Sequence, residues 1–132
     1  MFTAVYSSRG FANDLLLYAQ RGRVGLVLSD FVLVETERNL EKSAPWAVPA
    51  FVYIRSNLTY RLRNPSQRLI VDTERVVVTK DAPIIAAARS AHVKLVATYD
   101  RKHLLSNRQA ILDAFGITVA TPDDILTTLR LR

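Results

Sequence analysis

The chain has 132 residues, 49% of them apolar, no cysteine, and a net charge of +6 at pH 7. That length suits one compact domain, residues 1–132, with enough apolar content for a core; the lack of cysteine excludes disulfide staples, thiolate zinc sites and cysteine nucleophiles. The cation excess, mostly arginine, suits a polyanionic partner such as nucleic acid, although a merely soluble basic surface has the same composition.

The opening Met1 to Gly10 lacks the basic start and long apolar centre of a signal peptide, and no apolar run approaches the ~20 residues of a membrane span. We therefore expect these residues to be part of the folded domain, in a reducing, cytoplasmic setting, with no membrane partner. Phe11, Leu15 and Tyr18 have helical spacing over 11–21, ended by Gly22, and Val24 to Leu28 reads as a strand. Ser29 is placed to cap a helix running to about Lys42, with Leu33, Val34 and Leu40 on its buried side and Glu35 on its second turn.

After Pro49, the spacing of Phe51, Ile54, Leu58 and Leu62 predicts an amphipathic basic helix that carries Arg55, Arg61 and Arg63 and stops at the loop Asn64-Pro65-Ser66-Gln67. Arg75 to Thr79, with three consecutive valines, reads as a buried strand, and Asp81-Ala82-Pro83 opens an alanine-rich helix ending near His92. Lys94 to Thr98 is a further strand, Asn107 to Phe115 a helix stopped by Gly116, and Ile117 to Ala120 a strand. Thr121-Pro122-Asp123-Asp124 then starts a helix carrying Ile125, Leu126 and Leu129. This alternation predicts βα units and a parallel sheet.

The carboxyl ends of parallel strands share one edge, so residues that follow separate strands converge there. Asp81 and Asp100 are both expected just past strand ends, and Glu35 about two turns into a helix leaving the same edge. Three such carboxylates make an oxygen site suited to Mg²⁺ or Mn²⁺. Each acid also has a plain structural use, which spacing alone favours: Asp81 as an N-cap, Asp100 as the cap of the turn into Arg101-Lys102-His103, and Glu35 as a solvated residue beside Glu37 and Arg38. His92 and His103 do not form a zinc-spacing pair; His103 is near enough to Asp100 to reach a substrate, and equally suited to a helix surface. Trp46, beside Pro45 and close to Pro49, suits packing at a helix junction, and the chain has no Gly-rich phosphate loop or nucleophile elbow.

Three segments together resemble the PIN domain of toxin-like ribonucleases. Leu28-Ser29-Asp30-Phe31-Val32-Leu33-Val34-Glu35 is similar to the family's strand, serine and helix that bear its second acid; Lys80-Asp81-Ala82-Pro83-Ile84-Ile85-Ala86 to the segment with the third; and Leu95-Val96-Ala97-Thr98-Tyr99-Asp100-Arg101-Lys102 to the strand with a small hydroxyl residue two before the fourth. The closing Gly116 to Pro122 has the family's look as well.

The resemblance implies a three-layer α/β/α sandwich and a metal-dependent endoribonuclease, the toxin of a toxin–antitoxin pair. Glu35, Asp81 and Asp100 would hold Mg²⁺ or Mn²⁺, and Thr98, Arg101 and Lys102 would adjoin the RNA substrate. It also implies homodimerisation and a cognate antitoxin. Arg9, Arg55, Arg61 and Arg63 are candidates for a wider phosphate surface, or ordinary solvated charges.

The chain departs from the pattern at its beginning. Phe2-Thr3-Ala4-Val5-Tyr6-Ser7-Ser8 resembles the segment just after the family's first strand, so that strand is expected to be missing or shortened, and its aspartate has no counterpart; neither Asp14 nor Asp30 matches it. Loss of a central strand would expose unpaired edges, unless Phe2 to Tyr6 slides in as a short strand and puts Ser7 or Ser8 where the acid belongs. A second reading therefore keeps the fold without the chemistry, as an RNA- or protein-binding module. A third, a DNA-binding module, lacks a convincing recognition helix.

Overall fold

In the computed structural model, residues 2–6, 24–57 and 61–130 are described. Their framework is a five-stranded, all-parallel sheet of β1 (Phe2–Tyr6), β2 (Val24–Leu28), β3 (Arg61–Leu62), β4 (Leu95–Ala97) and β5 (Thr118–Ala120), in the order β3-β2-β1-β4-β5. Phe2–Tyr6 fills the middle of the sheet: Val5 pairs with Val27 on one side and Val96 on the other. The central position is thus occupied by a short strand, and the unpaired edges expected from its loss do not arise. Ser7, Ser8, Arg9, Asp14, the helix expected over 11–21 and Leu58 lie outside the described residues.

The helices are α1 (Asp30–Ser43), α2 (Val48–Asn57), α3 (Gln67–Thr73), α4 (Ala82–Ser90), α5 (Arg108–Phe115) and α6 (Pro122–Arg130). From β1 to β3 the chain steps one way across the sheet, and from β4 to β5 the other. Right-handed crossovers therefore put α1 and α2 on one face and α3, α4 and α5 on the opposite face, the three-layer sandwich expected. Among the described residues no helix is long and apolar enough to cross a membrane.

α4 packs against β1 and β4, and its Ile84, Ile85, Ala86, Ala87 and Ala88 are all buried. Alanine in three consecutive positions lets the helix backbone approach the sheet closely, while Ile85, Leu28 and Leu104 fill the remaining volume, each fully buried side chain contributing about 2 kcal/mol. The helix ends in a two-bond cap, with Val93 N donating to Ala88 O at 2.9 Å and His92 N to Arg89 O at 3.2 Å. That cap puts His92 in the left-handed region at φ 56°, where glycine would be less strained. Gly116, at φ 67°, ends α5 as its sequence position foretold.

Three expectations are corrected. Arg75 to Thr79 is not a strand: after α3, which Ser66 caps, Val76 N and Val77 N both turn back to Thr73 O at 3.1 Å, and only Val77 of the three valines is buried. β-propensity chiefly reports fit to a pleated, half-buried surface, and here the valines meet a helix end instead. The basic helix stops at Asn57, and Arg61 and Leu62 instead pair with Val27 and Leu28 as an edge strand, leaving Leu62 half exposed. Val34, expected on the buried side of α1, is 49% exposed, whereas Leu33 is buried and Leu40 packs against the core.

Candidate active site

The order β3-β2-β1-β4-β5 reverses between β1 and β4, and ligands of open parallel sheets bind outside the strands' carboxyl ends at such a reversal. The elements leaving that edge are α1 after β2 and the turn after β4; α4, which leads into β4, begins there. Glu35, Asp100 and Asp81 stand on these three elements in turn.

α1 is fixed at its start by two side chains. Ser29 Oγ accepts from Val32 N at 3.2 Å, and Asn64, beyond β3, accepts from Asp30 N with its Oδ1 at 3.0 Å and donates from Nδ2 to Asp30 Oδ2 at 2.9 Å. Asn64 was legible in the sequence only as part of a loop; its role depends on the β2–β3 pairing that brings the loop back. Glu35, half-buried on the second turn, is thereby held at the edge.

The β4 exit is built by Thr98 and Asp100. Thr98 is fully buried, and its Oγ1 accepts from Asp100 N at 3.0 Å, which sets the direction of the turn. Asp100, 6% exposed, accepts from His103 N through Oδ1 at 3.2 Å, so the plain capping role is realised with one of its oxygens. The following Arg101–Leu105 winds as a π-helix, with Leu105 N bonded to Asp100 O at 2.9 Å and Ser106 N to Arg101 O at 3.1 Å. Single π-turns recur at functional sites because they re-aim side chains; here Arg101 and Lys102 are exposed.

Asp81 differs from its sequence expectation in two ways. It follows a turn from α3 rather than a strand, and its side chain makes no capping bond. The reason is local: Ala82 N is already bonded to Val78 O at 3.0 Å, Pro83 has no N–H, and Ile84 N is bonded to Asp81 O at 3.1 Å. Every donor that an N-cap would serve is taken or absent. Asp81 is 5% exposed, and its Oδ2 is buried with no hydrogen-bond partner among the described residues. An orphaned buried carboxylate oxygen costs on the order of 1–3 kcal/mol and calls for a function.

Burial raises the Asp81 carboxyl above its ordinary value of 3.8, and the negative charge of Asp100 raises it further; Lys80 and His103 pull it down, and Glu35 adds a smaller upward push. Four charged or titratable side chains from three elements thus act on Asp81 at this edge. Tyr99, between Thr98 and Asp100, is also pushed up, by burial and by the Asp123 carboxylate of α6 beside its hydroxyl.

Among the described residues no group of three or more His, Cys, Asp and Glu side chains is set to hold a metal ion. The donor chemistry is that of a hard cation nonetheless: carboxylate oxygens, one without a partner, and no thiolate or histidine pair. Asp81 and Asp100 are the buried acids at this edge, and Glu35 is a half-buried one.

No family model matches the sequence, and no curated protein matches it. Among solved structures, PAE2754 from Pyrobaculum aerophilum superposes with a TM-score of 0.69 at 15% identity, over 99% of this chain and 97% of that one. The VapC20 toxin of Mycobacterium tuberculosis, which cleaves the sarcin-ricin loop, superposes with a TM-score of 0.53 at 18% identity, over 75% of this chain and 91% of that one. At these identities the likeness is one of fold.

Proposed function

We propose that this chain, which has the PIN-like α/β fold, is a metal-dependent endoribonuclease acting as the toxin of a toxin–antitoxin pair. The observation that carries this reading is the orphaned Oδ2 of Asp81, buried beside Asp100 at the carboxyl edge although no local donor needs it.

Asp81 and Asp100, with Glu35 outside them, would hold Mg²⁺ or Mn²⁺, which when bound supplies an activated water and stabilises charge on the phosphodiester. Thr98 Oγ1 holds the Asp100 backbone and His103 N donates to its Oδ1, so the second carboxylate is oriented before any ligand arrives. Burial keeps water from screening the pair. Arg101 and Lys102, exposed on the π-turn, and the exposed Lys80 beside Asp81 would bind RNA phosphates. Action on cytoplasmic RNA, a homodimer and an inhibiting antitoxin complete the reading.

Purified protein with Mn²⁺ or Mg²⁺ should nick single-stranded RNA, and Asp81→Asn or Asp100→Asn should each lower the rate by about a hundredfold or more. Cleavage that survives both substitutions would sink the site. A second reading, an RNA- or protein-binding module without catalysis, draws on the peripheral place of Glu35, the weakest of the charges acting on Asp81. Calorimetric titration with Mn²⁺ separates the two, because the binding module takes up no metal.

A further inference from the structure

α1 carries exposed apolar side chains on the face that also bears Glu35. Phe31, Val34, Glu35 and Arg38 fall at helical spacing, and with Asp30 they line a surface cleft of about 280 Å³. Phe31 is 41% and Val34 49% exposed, although both are large apolar side chains. Glu35 lines the cleft and stands at the same sheet edge as Asp81 and Asp100.

The walls differ in chemistry. Phe31 and Val34 form an apolar shelf, Arg38 gives a permanent cation one turn along, and Asp30 and Glu35 present carboxylate acceptors. A flat ring with exocyclic amino donors, attached to a phosphate, meets all three: it stacks on the shelf, donates to the acids and puts its phosphate toward the guanidinium. The cleft is near the small end of ligand clefts and has room for one nucleobase.

We propose that this cleft is a base-binding subsite that takes one unstacked nucleobase of single-stranded RNA on Phe31, next to the bond at the carboxylates. It rests on the ribonuclease reading for its position, and names the substrate class: unpaired RNA with an amino-bearing base at one position beside the scissile phosphate. Phe31 is a specificity residue here, and its loss falls on substrate binding more than on turnover.

The test uses the full chain and a single-stranded RNA carrying 2-aminopurine, in metal-free buffer so that binding is read without cleavage. Stacking on the wild-type protein should change the 2-aminopurine emission; Phe31→Ala should abolish that change and weaken binding about tenfold, the loss of one base–aromatic stack, while Phe31→Trp retains both. Thermal melts of the variants should match the wild type, because Phe31 is largely outside the core. With Mn²⁺, Phe31→Ala should raise KM with little change in kcat, and on RNA made abasic at the contacted position it should cleave like the wild type.

An unchanged emission in the wild type, or equal loss by Phe31→Ala on normal and abasic RNA, overturns the subsite and returns the cleft to a protein partner. A 2-aminopurine response that depends on Phe31, in a protein that cleaves nothing, keeps the subsite and removes the ribonuclease reading.

Discussion

Asp72 and Asp81 flank one turn of the chain and have opposite fates. Asp72, at the end of α3, is held by Arg75 Nε at 3.0 Å and by Arg89 Nη1 of α4 at 2.9 Å, and these hydrogen bonds, with Arg75 the larger influence, keep its carboxyl below the ordinary value of 3.8. Arg89 in turn donates to Thr73 Oγ1 at 3.0 Å and stacks 4.2 Å from the centre of the Phe115 ring. Asp81, at the other end of α4, is buried, carries an unbonded oxygen, and faces another acid. The first carboxylate ties α3 to α4; the second is a net cost to folding that the fold tolerates. Where a molecule keeps an unsatisfied charge while satisfying its neighbour, the unsatisfied one is the candidate for a binding role.

The largest separation between the two regions is in catalysis. Asp81→Asn should abolish RNA cleavage, whereas Asp72→Asn should leave it within a fewfold of wild type, which parallel assays would check. Stability should order them the other way. Arg89→Ala removes the bridge to Asp72, the bond to Thr73 and the stack on Phe115, and should lower unfolding free energy by about 2 kcal/mol in denaturant titration. Asp81→Asn in metal-free neutral buffer should instead stabilise, by about 1 kcal/mol, since it removes a poorly compensated buried charge.

The smallest effect is in pH dependence, and its sign distinguishes the two acids. Asp81 has a raised folded pKa, so its contribution to stability is fully present below 3.8 and is lost as pH rises through the folded value; the advantage of Asp81→Asn should therefore vanish in acid. Asp72 has a lowered folded pKa, so its contribution is present above 3.8 and lost as pH falls through the depressed value; the penalty of Asp72→Asn should vanish in acid too. Thermal melts of both variants across that range would show a gain and a loss converging on the wild type. Curves that run parallel at all pH values would contradict both assignments.

Much of this was readable in the sequence. Ser29 before Asp30, Gly116 after Phe115 and Thr121 before Pro122 each mark an element boundary that the structure keeps, because caps act within one turn and need no distant partner. The Asp-Ala-Pro of α4 even held the reason that Asp81 is not a cap, since Pro83 lacks the N–H a cap would serve.

Other features depended on neighbours distant in sequence. Three valines read as a strand turned at the end of α3, two residues of an apparent helix became strand β3, and Phe2–Tyr6 took the centre of the sheet by pairing on both sides. Propensity and periodicity describe a segment alone, and cannot say which strand edge is free to receive it. The site follows the same division. The sequence by itself determined which acids were available and that Thr98 stands two before Asp100; only the tertiary structure decided that Asp81 is buried beside Asp100 with an oxygen left over, and that Phe31 lies open next to Glu35. Identity and local geometry are set by near neighbours along the chain, whereas burial and charge coupling exist only once the sheet has gathered its edge.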